Sequence, residues 1–114
     1  MRSLFISLAL FCTGSTFSYA GEPVTPAQLT ALFANGKPFL ANAGSDLTMT
    51  LNSDGSGTFV DNKTKNSIQG RWRVDTSHYC AKWGDRPERC FSAQKAGKRY
   101  ELSEAGKVVG WWQR

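Results

Sequence analysis

The stretch Ile68–Cys90, IQGRWRVDTSHYCAKWGDRPERC, gathers most of the residues in this chain that could do chemistry: its one histidine, two of its three cysteines and two tryptophans. A lone imidazole at His78 suits a general base, a haem ligand or a metal ligand. Two cysteines and one histidine leave a zinc site one ligand short, and the chain carries no CxxCH for covalent haem. No GxSxG-type elbow accompanies His78, so a serine hydrolase has no recognisable nucleophile. The acids pair poorly. Glu101 and Glu104 flank a turn, while Asp85 and Glu88 stand beside Arg86 and Arg89, which keep them ionised. Asn52-Ser53-Asp54-Gly55-Ser56-Gly57 copies the first half of an EF-hand loop, but Lys63 occupies the twelfth position, where a bidentate acid is required. These residues predict no catalytic set, no metal and no cofactor.

A binding surface is the stronger expectation. Arg71-Trp72-Arg73, Lys82-Trp83, Arg86, Arg89, Lys95, Lys98-Arg99 and the terminal Trp111-Trp112-Gln113-Arg114 interleave cations with aromatics. In a cytosolic protein that pattern points to single-stranded nucleic acid. Outside the cytoplasm the matching anions are lipid headgroups, lipopolysaccharide phosphates and cell-wall carboxylates. Neighbours on a strand face opposite ways, so only one of Trp111 and Trp112 enters a core. We assign the contact residues to Arg71, Arg73, Trp83 and Trp112, the last as an exposed indole beside Arg114.

The N-terminus decides the compartment. MRSLFISLALFCTGSTFSYA has one cation, Arg2, an apolar run over Leu4–Phe11 and a small-x-small end at Ser18-Tyr19-Ala20, the organisation of a secretory signal peptide cut before Gly21. The run is less than half the roughly 20 residues that span a bilayer. Cys12 follows the bulky Phe11, so no lipid anchor is expected. Of 114 residues, 94 follow the cut; without Arg2 the fourteen basic side chains become thirteen against nine acidic, a net +4. That is one small domain, 21–114, periplasmic or secreted, with no transmembrane segment and no nucleic-acid partner. Cys80 and Cys90 remain in an oxidising compartment and predict a disulfide.

Positioning these residues falls to a simple set of elements. Thr25-Pro26-Ala27-Gln28 reads as a capping box with proline at the first helical position, Leu29, Leu32 and Phe33 follow at helical spacing, and Asn35-Gly36 ends the helix. So short a helix must dock its apolar stripe on a sheet. After Gly36 the helical period does not return. Ile68, Gly70, Trp72 and Val74 alternate with Gln69, Arg71 and Arg73, which makes Trp72 a core anchor and sends both arginines to solvent. Eight such runs, Pro38–Leu40, Leu47–Leu51, Thr58–Val60, Ile68–Val74, His78–Lys82, Phe91–Gln94, Arg99–Leu102 and Val108–Trp112, alternate with segments rich in Gly, Asp, Asn, Ser or Pro. The fold class is all-β: a small antiparallel meander of about eight short strands, closed as a barrel or folded as a two-layer sandwich, with one short N-terminal helix.

The order Asp54-Gly55, Gly70-Arg71-Trp72-Arg73-Val74, Tyr79-Cys80, Cys90-Phe91 and Gly97 before Tyr100 resembles a family of small exported proteobacterial proteins, common in rhizobia, with a DG…GxWxV…C…C pattern and no known function. The likeness spans roughly Leu47 to Leu102. It implies export, an all-β domain and the Cys80–Cys90 bridge, and it implies no activity. The expectation for function is a non-catalytic binding or accessory domain facing an anionic envelope lipid or glycan or a periplasmic protein. The alternatives are an inhibitor of an envelope-degrading enzyme such as a lysozyme, disfavoured because a +4 protein approaches a basic target against its own field, and a small hydrolase using His78.

Overall fold

Leu47, Met49 and Leu51 are buried while Thr48 and Thr50 between them are not, and the chain of antiparallel strands built on such one-sided segments rolls into a barrel. The computed structural model describes residues 22–114; the expected signal peptide lies outside them. In chain order the elements are β1 (Glu22–Val24), α1 (Pro26–Phe33), β2 (Phe39–Asn42), β3 (Asp46–Leu51), β4 (Ser56–Asp61), β5 (Ser67–Val74), β6 (Tyr79–Trp83), β7 (Arg89–Ala96), β8 (Arg99–Glu104) and β9 (Lys107–Gln113). From β3 to β9 each strand pairs antiparallel with the one before it. The last then returns to the first, with Leu40 opposite Gln113, Ala41 opposite Trp112 and Asn42 opposite Trp111. The meander is thus a closed eight-stranded barrel rather than a sandwich, and closure removes the open edges that a small sheet would expose.

A ninth strand lies beyond the eight expected. β7 is paired by β6 only over Arg89–Phe91, and β1 takes the edge left vacant, with Pro23 opposite Gln94 and Val24 opposite Ala93. Glu22-Pro23-Val24 has no period and contains proline, so only the presence of that edge makes it a strand. Its Val24 packs on the core.

The helix begins as the sequence indicates. Thr25 Oγ1 accepts from the Gln28 backbone N–H at 3.1 Å, and Gln28 Oε1 accepts from the Thr25 N–H at 2.9 Å. At its exit Gly36 adopts φ +76°, and its N–H donates to Leu51 O at 2.9 Å. Leu29 and Phe33, one turn apart, are buried over the end of the barrel, and Phe33 meets Phe39, Trp112 and Tyr100 at 4.6, 5.0 and 5.4 Å between ring centroids. Leu32, expected in the same stripe, is 38% exposed.

Strand β5 keeps the expected phase but not the expected depth. Ile68, Gly70 and Trp72 are half-buried, and Val74 is exposed. Trp72 packs against the core, with its indole N–H donating to Asn52 O at 2.9 Å and Ser56 O at 3.1 Å. It ties the β3–β4 turn to the barrel wall, and Trp112, at 3% exposure, is the tryptophan of the deep core.

Candidate functional site: the barrel lumen

The expected basic-aromatic surface does not assemble. Gly57 and Gly70 pair across β4 and β5, and Gly70 lies opposite Trp83. A Cβ at Gly70 meets Lys82 O at 2.2 Å and Trp83 Cε3 at 2.7 Å, and one at Gly57 meets Trp83 Cη2 at 3.1 Å. These two glycines clear the inner wall so that the Trp83 indole lies along it, edge-on to Phe59 at 5.0 Å. Trp83 therefore faces the interior. So does Trp112, placed opposite Ala41 and packed among Phe33, Phe39 and Tyr79 at 5.0, 5.0 and 4.7 Å. Its assignment as an exposed contact residue is corrected: of the adjacent pair it is Trp111 that faces outward, under the Arg99 guanidinium at 4.0 Å.

Arg71 and Arg73 do face solvent, on the other side of the barrel wall from both indoles. Arg73 holds Glu88 through Nε at 3.0 Å and Nη2 at 2.9 Å, and that contact draws the Glu88 carboxyl below the usual carboxylate range. Arg71 reaches only the carbonyl of Asp54, at 3.4 Å. The two arginines and two tryptophans thus share no surface.

The remaining chemical candidates resolve locally. Cys80 and Cys90 face each other across β6 and β7 and form the expected disulfide. Glu88 lies near both sulfurs, but with the thiols bonded and the carboxylate held by Arg73 the trio offers no metal-ligand set. Asp54 accepts from the Ser56 hydroxyl at 2.7 Å and the Ser56 N–H at 2.9 Å, so Asn52–Gly57 is the turn between β3 and β4. His78 does lie beside a serine and an aspartate. Its Nδ1 is 2.8 Å from Ser77 Oγ and 3.6 Å from Asp75 Oδ1. A charge-relay triad needs the two partners on opposite ring nitrogens; here they crowd one, in an exposed turn that borders neither cavity described below.

What the barrel does enclose is its own lumen, a cavity of about 750 Å³ open at one end. The helix closes the end from which β2 departs. At the other end the β2–β3, β4–β5 and β6–β7 loops form the mouth, with Ser45, Asp61, Thr64, Asn66, Arg86 and Arg89 around it. Its lining includes the aromatics Phe59, Tyr79, Trp83, Phe91 and Trp112, with Leu47, Met49, Ile68 and Leu102 between them; Ile68, Trp83 and Phe91 are half-buried, while Phe59, Tyr79, Trp112 and the small Ala41 and Ala81 are buried at its floor. At the mouth Arg89 is bound to Glu104 through Nε at 3.0 Å, its guanidinium 5.2 Å from the Phe91 centroid. Arg86 meets no carboxylate among the described residues.

One interior group stands apart. The Tyr79 hydroxyl is buried without a hydrogen-bond partner, and burial pushes its ionisation far above the usual 10.0, so the phenol stays neutral. The inner wall thus offers apolar and aromatic surface, one neutral hydroxyl and a polar rim, a set of groups suited to holding a molecule. Sequence reasoning overlooked Tyr79, although a signal was present: Tyr79, Ala81 and Trp83 put a methyl between two aromatics on one strand face, which leaves room beside it.

No protein-family model, curated protein or solved structure matches this chain.

Proposed function

We propose that this protein is a non-catalytic binding domain, exported like the family its motif pattern resembles, that holds one small and largely apolar molecule inside its barrel. The carrying observation is the lumen of about 750 Å³, walled by five aromatic side chains and open at one end. Ligand sites are typically concave, mostly apolar and about 300–1,000 Å³ in volume, and an eight-stranded barrel has an interior either just filled by side chains or left wide enough for one small ligand. The disulfide is consistent with an extracellular or periplasmic protein, where such a ligand is met in the envelope or the medium.

The test is titration with N-phenyl-1-naphthylamine, a neutral fluorophore that brightens in apolar surroundings, with energy transfer from Trp83 and Trp112 as a second readout. Saturable binding at one molecule per chain is expected. Ile68→Trp enlarges a half-buried lining side chain and should abolish it while the circular dichroism spectrum is kept, since overpacking costs ~1–3 kcal/mol only where no space exists. No saturable signal from the wild-type protein, or undiminished binding by a folded Ile68→Trp protein, refutes the reading.

A further inference from the structure

The outer wall of the barrel, near the end that the helix closes, gathers cations that no carboxylate neutralises. Leu40 of β2 lies opposite Gln113 of β9, and Gln113 opposite Arg99 of β8. These three form one outward row, since Phe39 and Ala41 beside Leu40 and Trp112 beside Gln113 are buried. Arg99 donates through Nε to Gln113 Oε1 at 3.4 Å and lies over the Trp111 ring, with Lys98 next to it in the β7–β8 turn. Beside Gln113, Arg114 donates through Nη2 to Asn35 Oδ1 and Lys37 O, both at 3.3 Å. Lys37, Lys98, Arg99 and Arg114 are exposed, and none of them forms a salt bridge among the described residues. Arg71 and Arg73 take no part. Their strand, β5, stands across the barrel from β9, with β4, β3 and β2 between them on one side and β6, β7 and β8 on the other.

Apolar side chains accompany these cations. Leu40 is 50% exposed in the same row, and Leu32, at the end of the closing helix, is 38% exposed. A soluble polyanion supplies counter-charge but gives the leucines nothing. The headgroup layer of a bilayer supplies both, with phosphates at the surface and acyl carbons just beneath, and an indole under a guanidinium, as at Trp111, suits that boundary. Carboxylates set the orientation. Glu101 opposite Trp111 and Asp46 opposite Asn42 lie one row nearer the mouth, Asp54 and Asp75 occupy turns at the far flank of the closed end, and Glu22 faces Lys95 across β1 and β7. The cationic flank formed by β8, β9 and β2 is therefore the one turned to the surface, and the mouth points away from it.

We infer that this flank docks the protein on a bilayer bearing anionic headgroups, with Lys37, Lys98, Arg99 and Arg114 at the phosphates and Leu40 and Leu32 at the acyl boundary. The test is co-sedimentation of the protein cut before Gly21, which keeps every element of the barrel, with vesicles of phosphatidylcholine alone and of phosphatidylcholine mixed with phosphatidylglycerol. Binding to the mixed vesicles only is expected, weakening as salt rises, since exposed charges are screened over about 10 Å at ~0.1 M. Lys37→Gln and Arg99→Gln should each weaken it about fivefold, the worth of one cation near an anionic leaflet, while Arg99→Lys keeps it. Leu40→Ser should weaken it about threefold through lost apolar contact. Arg71→Gln removes the same charge from the opposite wall, about 10 Å away between backbones and further between outward side chains, and should stay within about twofold of wild type. All of these positions are exposed, so the circular dichroism melt should stay near that of wild type. Equal losses from Arg71→Gln and Arg99→Gln mean that net charge alone acts, and Leu40→Ser binding like wild type means that the partner is a soluble polyanion; either overturns the inference. So does equal binding to neutral vesicles, or binding to neither. None of these outcomes bears on whether the lumen is filled, which the fluorophore titration decides separately.

Discussion

Truncating Trp112 and Trp111 separately tests the orientation of β9, on which the contents of the lumen depend. An indole offers on the order of 200 Å², and at ~25 cal/mol per Å² its removal from water is worth about 5 kcal/mol as an upper bound. Trp112 is 3% exposed and lies within 5.0 Å of the Phe33, Phe39 and Tyr79 rings, so little of that bound is lost to solvent. Trp112→Ala should therefore cost ~3–5 kcal/mol, against roughly 5–14 kcal/mol for a domain of this length. Trp111 lies on the outer face, half-buried, and its clearest partner is the Arg99 guanidinium 4.0 Å away, a contact worth ~0.5–2 kcal/mol between the exposed and desolvated limits. Trp111→Ala should thus cost about 1 kcal/mol. Urea denaturation followed by far-UV circular dichroism reads the difference without relying on the deleted fluorophore. With a slope of ~1–3 kcal/mol per M, the Trp112 variant should lose about 2 M in midpoint or fail to fold, and the Trp111 variant about 0.5 M. Trp112→Phe, which keeps a ring in the cluster, should fall between them. A Trp112→Ala midpoint near wild type beside a collapsed Trp111→Ala protein refutes the packing, since it requires β9 to be slipped by one residue with every side chain on the opposite face.

Other outcomes follow from the disulfide and the charged rim. The protein cut before Gly21 should show no thiol titratable under denaturing, non-reducing conditions, and reducing the Cys80–Cys90 bridge, ten residues apart in sequence, should cost ~2–3 kcal/mol of loop-closure entropy and lower the melting temperature by about 10 °C or more. Acid should destabilise the fold. Arg73 at Glu88, Arg89 at Glu104, and turn N–H groups at Asp61 and Asp75 hold these carboxyls below their ordinary values of 4.5 for glutamate and 3.8 for aspartate. A lowered folded-state value stabilises above the unfolded one and is lost on acidification, so the melting temperature should be flat from pH 7 to about 5.5 and fall below about 4.5; a rise at pH 4 contradicts the pairing. Tyr79 acts in the opposite sense: its raised value stabilises below pH 10 and is lost above it, so Tyr79→Phe should resist alkaline unfolding better than wild type.

The class of the fold is legible in the chain because the signals that specify it are local. Short apolar or β-branched runs between turn residues marked all eight barrel strands, the Thr25–Gln28 capping box fixed the start of the helix, and Cys80 and Cys90 identified the bridge. Local signals did not reach the candidate site. Alternation gives the relative facing of neighbours, so one of Trp111 and Trp112 had to point inward, but which of them depends on the Leu40–Gln113 pairing that closes the barrel across seventy-odd residues of chain. In the same way Trp83 enters the interior because Gly57 and Gly70, two strands' worth of sequence upstream, pair with each other and leave it a place. A short Glu-Pro-Val segment becomes β1 because β6 leaves the edge of β7 early. The lumen is the furthest from the sequence of all these features, since it is a volume that no residue encodes: it exists only because eight strands far apart in the chain close into a ring.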